Sequence, residues 1–188
     1  IRSYTKIKKC LQENENCSNI VLHKNIFETN ISKNTVKARI LRRTTPQKAL
    51  EQMEVHLADG CNLSCKNCSH FSPLAKENFP KLRTFDKDLK RFNELSKGKL
   101  KRFYLLGGEP LLNPNIVDFM KIARKNLPNT RISVLTNAIL LEKQKPFFWE
   151  TCRDYNIIIN ITKYPIKLDF EKIEKLAEKF DVELEYYS

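Results

Sequence analysis

The sequence predicts an α/β fold of about five parallel strands in one sheet with helices packed outside, and three observations predict it. Short apolar runs rich in β-formers alternate with longer stretches whose apolar residues recur at helical spacing. The later runs recur about every 25–30 residues, the size of one βα unit. The two segments of unusual chemistry, Cys61-Asn62-Leu63-Ser64-Cys65-Lys66-Asn67-Cys68 and Gly107-Gly108-Glu109-Pro110, each follow such a run. Loops after the strands of a parallel sheet share one rim, so the two segments meet there.

Residues 1–45 are polar and weakly patterned, with apolar patches only at Ile20-Val21-Leu22 and Ile26-Phe27. They read as an N-terminal extension to a core domain over residues 46–188, entered through a helix start or bend at Thr45-Pro46. His23 reads as a surface histidine. Met53 to Ala58 alternates apolar and polar residues, the pattern of a strand, and Asp59-Gly60 turns the chain into the cysteine loop. Asp86 is positioned to cap a helix carrying Leu89, Phe92 and Leu95, ended by Gly98. Leu100 to Leu106 is the second strand. Asn113-Pro114 has the form of a cap followed by a first-turn proline. Behind it, Ile116, Phe119, Met120, Ala123 and Leu127 make one helical face up to Pro128. Arg131 to Thr136 is the third strand. Pro146 opens a short helix with Phe147, Phe148 and Trp149 as core aromatics. Asn156 to Thr162 is the fourth strand. Asp169 caps a helix facing inward with Phe170, Ile173, Ala177 and Phe180, and Val182 to Tyr186 is the fifth strand. This order wraps toward a barrel or an open twisted sheet.

The chain has 188 residues, enough for one domain with a sizeable core. Hydrophobic content of 41% and charged content of 30% are those of a soluble globular protein. No apolar run approaches the roughly 18 residues of a membrane span, and Ile1 to Lys9 is not a signal peptide. A cytoplasmic protein with no membrane partner is expected. The net charge of +12 reads as a lysine-rich solvated surface. A basic face for RNA or an anionic substrate is the alternative, but no nucleic-acid motif accompanies it.

Of six cysteines, Cys10 and Cys17 lie in the extension and read as structural or incidental, and Cys152 stands alone. Cys61, Cys65 and Cys68 are crowded into one loop, which fits a metal or cluster site in a reducing compartment better than a disulfide framework. Three thiolates spaced C-x₃-C-x₂-C can each hold one iron of a [4Fe–4S] cube. Electron-transfer ferredoxins supply four cysteines, so a missing fourth ligand points to a cluster that binds something. Zinc held by Cys61, Cys65, Cys68 and His70 is the competing reading.

The cysteine motif, followed about 40 residues later by Gly-Gly-Glu-Pro at a strand end, resembles the radical S-adenosylmethionine (radical SAM) superfamily over about Met53 to Tyr186. Locally, Cys-Asn-Leu-Ser-Cys-Lys-Asn-Cys-Ser-His-Phe-Ser-Pro-Leu-Ala, Gly-Gly-Glu-Pro-Leu-Leu, Leu-Thr-Asn and Tyr-Pro-Ile are similar to a bacterial subgroup associated with cell-surface polysaccharide genes. The resemblance implies a partial (βα)6-type barrel, a [4Fe–4S] cluster and S-adenosylmethionine. It also implies reductive cleavage of that cofactor to a 5′-deoxyadenosyl radical, which takes a hydrogen atom from a substrate.

Residue by residue, the resemblance makes Cys61, Cys65 and Cys68 the cluster ligands. Gly107 and Gly108 let backbone groups approach the methionyl end, where a side chain would collide with the ligand. Glu109 accepts from the methionyl ammonium. Thr136 and Asn137 reach the carboxylate or ribose, and Ile161 or Thr162 lies against the adenine. One departure is Asn67, where the superfamily commonly has an aromatic residue; Phe71 is the substitute wall. His56 and Glu54 share a face toward the lumen, where His56 is either a substrate or cluster-loop contact or a hydrogen-bonded core histidine, and Lys163 and Tyr164 on the same rim are candidate substrate contacts. His70, near the cysteines, either tunes the cluster through hydrogen bonding or is simply exposed.

The partners implied are an electron donor such as a flavodoxin or ferredoxin and a small-molecule substrate, with a nucleotide sugar suggested by the subgroup. With five strands where the family has six units, the chain reads as the N-terminal portion of a longer enzyme or a shortened product. A non-catalytic iron–sulfur carrier or sensor and a zinc-bearing interaction module are the rival classes.

Overall fold

The computed structural model describes residues 50–187. The expectations on residues 1–45, including Cys10, Cys17 and His23, lie outside the described residues.

Five strands form one parallel sheet: β1 (Leu50–His56), β2 (Leu100–Leu106), β3 (Arg131–Thr136), β4 (Ile157–Thr162) and β5 (Leu184–Tyr187). The strand order is the chain order, β1-β2-β3-β4-β5. Each new strand therefore adds to the same edge, as in a barrel wall, rather than reversing as in a doubly wound sheet. Four helices connect the strands: α1 (Leu82–Ser96), α2 (Ile116–Asn126), α3 (Pro146–Asp154) and α4 (Phe170–Phe180).

One core lies between the helices and one face of the sheet. Alternation sends Phe103 and Leu105, Ile132 and Val134, and Ile157, Ile159 and Ile161 to that face. There they pack in one cluster with Phe85 and Leu89 of α1, Phe119 and Met120 of α2, Trp149 and Cys152 of α3, and Ile173 and Ala177 of α4. The alternate residues form a mixed inner face, with Glu54, Tyr104 and Ser133 in register on adjacent strands and Leu106, Leu135 and Ile158 among them. At its far edge Arg131 donates to Glu183 (2.8 Å) and Glu185 (2.9 Å).

At the rim away from the cysteines, Arg124 gathers the chain. Its guanidinium donates to the carbonyls of Tyr155 and Asn156, the two residues leading into β4, at 2.7 Å each. It also donates to those of Leu127, Pro128 and Thr130 before β3.

Several elements differ in detail from the expectation. Helix α1 begins at Leu82, so Asp86 is inside it and not its cap. The earlier start brings Phe85 against Phe103 and Phe119, at centroid distances of 6.3 and 4.9 Å. Leu95 and Phe147 are exposed, whereas Phe148 and Trp149 are buried as expected. Helix α2 starts after Asn115. The expected cap, Asn113, instead donates from Nδ2 to the Leu57 carbonyl (2.7 Å) and accepts from the Asn115 N–H (2.9 Å). Asp169 caps α4 as expected, accepting from the Lys172 N–H at 3.0 Å.

Candidate functional site

The loops after β1 and β2 are joined by their own backbones. The Leu57 N–H donates to the Leu106 carbonyl (2.7 Å), the Gly108 N–H to that of Ala58 (2.8 Å) and the Glu109 N–H to that of Gly60 (2.9 Å). The approach is so close that a Cβ on Gly108 would overlap the Gly60 carbonyl, and one on Gly107 would overlap that of Ala58. Gly107 also holds φ +151°, a conformation that favours glycine. The glycines thus serve a contact within the chain. The expectation placed the collision at a ligand.

Glu109 is fully buried. Its Oε1 accepts from the Leu111 N–H (3.0 Å) and the Thr136 hydroxyl (2.8 Å), and its Oε2 from the Asn137 N–H (3.0 Å). Burial pushes this carboxyl above the ordinary carboxylate range, against the pull of the Asn137, Thr136 and Leu111 donors. The carboxylate therefore ties the β2 turn to the end of β3. Asn137 continues the tie, donating from Nδ2 to Asn62 Oδ1 (2.7 Å) and reaching Cys61 Sγ at 3.8 Å. A chain of contacts runs from Glu109 through Asn137 to the first cysteine.

Above this framework lies a cavity of about 230 Å³, lined by Cys61, Cys65, Cys68, Gly107, Gly108, Thr136, Asn137, Thr162 and Tyr164, among others. The rim thus brings together loops following β1, β2, β3 and β4. All three thiols are free and partly buried. Among the described residues no three His, Cys, Asp or Glu side chains converge on one ion-sized point. The thiols differ in electrostatics: burial pushes the Cys61 thiol up, while the Ser72 amide N–H directed at Cys68 holds that thiol down. The Ser72 hydroxyl is itself buried with no partner.

The remaining expected residues divide. Asn67 and His70 line the cavity. Phe71 does not; it is 69% exposed on the outer side of the loop, so it is not the substitute wall. Its backbone is left-handed, φ 55°, which turns the ring outward. Ile161 points into the core. Lys163 lies over the rings of Tyr186 (4.0 Å) and Phe170 (5.0 Å), not in the cavity. His56 stands outside the lining, its ring edge-on to His70 at 4.5 Å, and Glu54 accepts from Gln52. Cys152 is in the core, 3.9 Å from the Met120 sulfur, its thiol pushed up to about 12 by burial. Asn62 and Asn113 were missed as functional residues, because their partners are 75 and 56 residues away and leave no local pattern.

A family model, the radical SAM superfamily, matches residues 55–162, which hold both loops, the end of β1 and all of β2, β3 and β4. The chain belongs to the radical SAM superfamily. Members of this superfamily use a [4Fe–4S] cluster and S-adenosylmethionine. The chain is similar to the GTP 3',8-cyclase of Clostridium perfringens, 31% identical over 117 residues, which are 62% of this chain and 36% of that protein. It is 35% identical over 104 residues to the GTP 3',8-cyclase of Acaryochloris marina, covering 50% and 29%. The chain spans about a third of the length of these curated relatives. Among solved structures, BtrN in complex with AdoMet and 2-DOIA matches with TM-score 0.58 and 22% identity, covering 75% of this chain and 57% of that one. AnSMEcpe with bound AdoMet matches with TM-score 0.55 and 21% identity, covering 73% and 43%. These likenesses show the radical SAM fold, and the five-stranded parallel sheet is that of a partial barrel.

Proposed function

We propose that this chain is the cluster- and cofactor-binding part of a radical SAM enzyme. Cys61, Cys65 and Cys68 would hold a [4Fe–4S] cluster, and the wall of Gly107, Gly108, Thr136 and Asn137 would hold S-adenosylmethionine beside it. The observation that carries this reading is that three free thiols and the glycine turn, distant in sequence, line one cavity. When bound, the pair supplies reductive cleavage of the sulfonium and a 5′-deoxyadenosyl radical that removes a hydrogen atom from substrate.

The chain's own residues position and shield. Glu109 fixes the Asn137 backbone, and Asn137 in turn holds Asn62 beside Cys61, so the first thiol is oriented before any ligand arrives. Glu109 acts as a brace for the turn, since its oxygens are already engaged by three donors. Thr162 and Tyr164 close the cavity on the β4 side. The polar groups on the inner face, Glu54, Tyr104 and Ser133, support a polar small-molecule substrate. GTP, named for the curated relatives, and a nucleotide sugar are the first two to assay. Free thiols in one loop support a reducing, cytoplasmic setting. No helix among the described residues is long and apolar enough to cross a membrane.

The test is anaerobic reconstitution with iron and sulfide, followed by dithionite and S-adenosylmethionine. About four irons per chain and release of 5′-deoxyadenosine are expected. A cluster that forms without any cleavage would leave a carrier or sensor, and one tight zinc with no iron would leave an interaction module; either result sinks the proposal.

A further inference from the structure

Ser72 is 3% exposed, and its hydroxyl oxygen is buried with no hydrogen-bond partner. The large majority of buried side-chain polar atoms find a partner, because leaving one dry costs more than a hydrogen bond returns. The place of this hydroxyl is built from both loops of the site. On one side is the glycine turn: a Cβ on Gly108 would come within 2.8 Å of Ser72 Oγ, so the hydroxyl uses space that glycine leaves open. On the other side is Cys68, with the Ser72 amide N–H and hydroxyl both set against its sulfur.

The backbone secures this placement. The Phe71 N–H donates to the Cys68 carbonyl (3.2 Å), the Leu74 N–H to the Phe71 carbonyl (2.9 Å) and the Ala75 N–H to the Ser72 carbonyl (3.2 Å). Phe71 holds a left-handed φ of 55°, uncommon for a bulky residue. That turn sends its ring outward and brings the next residue, Ser72, back to Cys68. A neutral thiol is a weak acceptor, which leaves the hydroxyl unpaired in the ligand-free chain. A thiolate bound to iron is a charged acceptor and takes the same donor strongly.

We infer that Ser72 raises the reduction potential of the cluster, its hydroxyl donating to the Cys68 thiolate once iron is bound there. The inference rests on the cofactor reading above. A donor on a ligand sulfur favours the reduced cluster, which carries one more negative charge. One electron enters the cluster, and the proton stays on the Ser72 oxygen. Ser72 does not line the cavity, so it is a positioning residue that acts through Cys68. His70, by contrast, is exposed, its ring edge-on to His56 at 4.5 Å.

The experiment uses the 188-residue chain, both ligand-free and reconstituted anaerobically with iron and sulfide. The reduction potential is measured by titration with dithionite, followed by electron paramagnetic resonance, on the unaltered chain, Ser72→Ala and Ser64→Ala. Ser64 is an exposed serine of the same loop and serves as the control. Ser72→Ala is expected to hold about four irons. Its cluster should be about tenfold harder to reduce, a shift of about 59 mV to more negative potential for one electron. Ser64→Ala should match the unaltered chain. In the ligand-free state Ser72→Ala should melt no lower than the unaltered chain, because it removes a hydroxyl that has no partner. An unchanged potential in Ser72→Ala would overturn the inference, and so would an equal shift in Ser64→Ala. A lower ligand-free melting temperature would show the hydroxyl already paired in the empty chain, which overturns it as well. Loss of the cluster in Ser72→Ala does the same, since the hydroxyl is assigned to tuning and not to holding iron. If the unaltered chain takes up no cluster, it is the cofactor reading that fails; the ligand-free melting temperatures, measured separately, still decide whether Ser72 is paired.

Discussion

Gly108→Ala separates two explanations of the glycine turn. If glycine were needed only for a ligand to approach, alanine would weaken cofactor binding and leave the ligand-free chain as stable as before. The structure requires the opposite order of events. The added Cβ would sit inside the Gly60 carbonyl group and press on Ser72 Oγ. The overlap with Gly60 is with backbone, which cannot rotate away. The turn must shift, and the Gly108-to-Ala58 and Glu109-to-Gly60 hydrogen bonds stretch or break. Each bond contributes about 1 kcal/mol net, and overpacking strain adds about 1–3 kcal/mol. The total is about 3–5 kcal/mol, which lowers the melting temperature of a domain this size by roughly 10–15 °C. The assay is thermal unfolding of the ligand-free chain by circular dichroism, alongside iron content after reconstitution. A melting temperature within about 1 °C of the unaltered chain, with only cofactor affinity reduced, would refute the reasoning.

Other outcomes follow from named contacts. Cys61→Ala, Cys65→Ala and Cys68→Ala should each abolish stable iron incorporation, measured colorimetrically. Cys152→Ala should retain iron and cost about 1–2 kcal/mol of stability, because it removes a core sulfur. Arg124→Lys should destabilise by about 2–4 kcal/mol in urea unfolding, since an ammonium cannot span carbonyls before both β3 and β4 as the planar guanidinium does. Glu109→Gln should change the pH dependence of stability. The folded state holds the Glu109 proton more tightly than the unfolded chain does, so this group's contribution is fully present below its unfolded value and is lost as pH rises through the raised folded one. Urea unfolding from about pH 4.5 upward should therefore show a falling trend in the unaltered chain that is shallower in Glu109→Gln; equal slopes would count against it.

What could be read from the sequence was what local pattern encodes. The alternation of Met53 to Ala58, the apolar face from Ile116 to Leu127 and the Ile-rich run ending at Thr162 each reveal their element within a dozen residues. The three cysteines, close together in sequence, likewise mark the loop that lines the cavity. Contacts that span the sheet were not readable in that way. Asp86 has the chemistry of a cap, yet burial of Phe85 between Phe103 and Phe119 outweighs a cap and starts α1 earlier. Glu109 looked free to meet a ligand, because nothing near it in sequence announces Thr136 and Asn137 as its partners. Phe71 looked like a wall for the cavity, because its backbone hand is invisible in the sequence.

These differences share one physical direction. Asp86 apart, a residue assigned to the ligand is engaged by the protein, as Gly107, Gly108 and Glu109 are, or turned away from the cavity, as Phe71 is. Gly107 and Gly108 admit the Ala58–Gly60 backbone, and Glu109 and Asn137 bind across strands up to Cys61. A site assembled by its own hydrogen bonds spends little on reorganisation when a cofactor arrives. Its cost is borne at folding, by the backbone bonds that fasten the β1 and β2 loops together. The consequence is that mutations in the brace should appear first as lost stability and only then as lost iron. Mutations of the thiols should appear in the reverse order. Measuring both quantities on the same variants distinguishes a preassembled site from one that its ligands must organise.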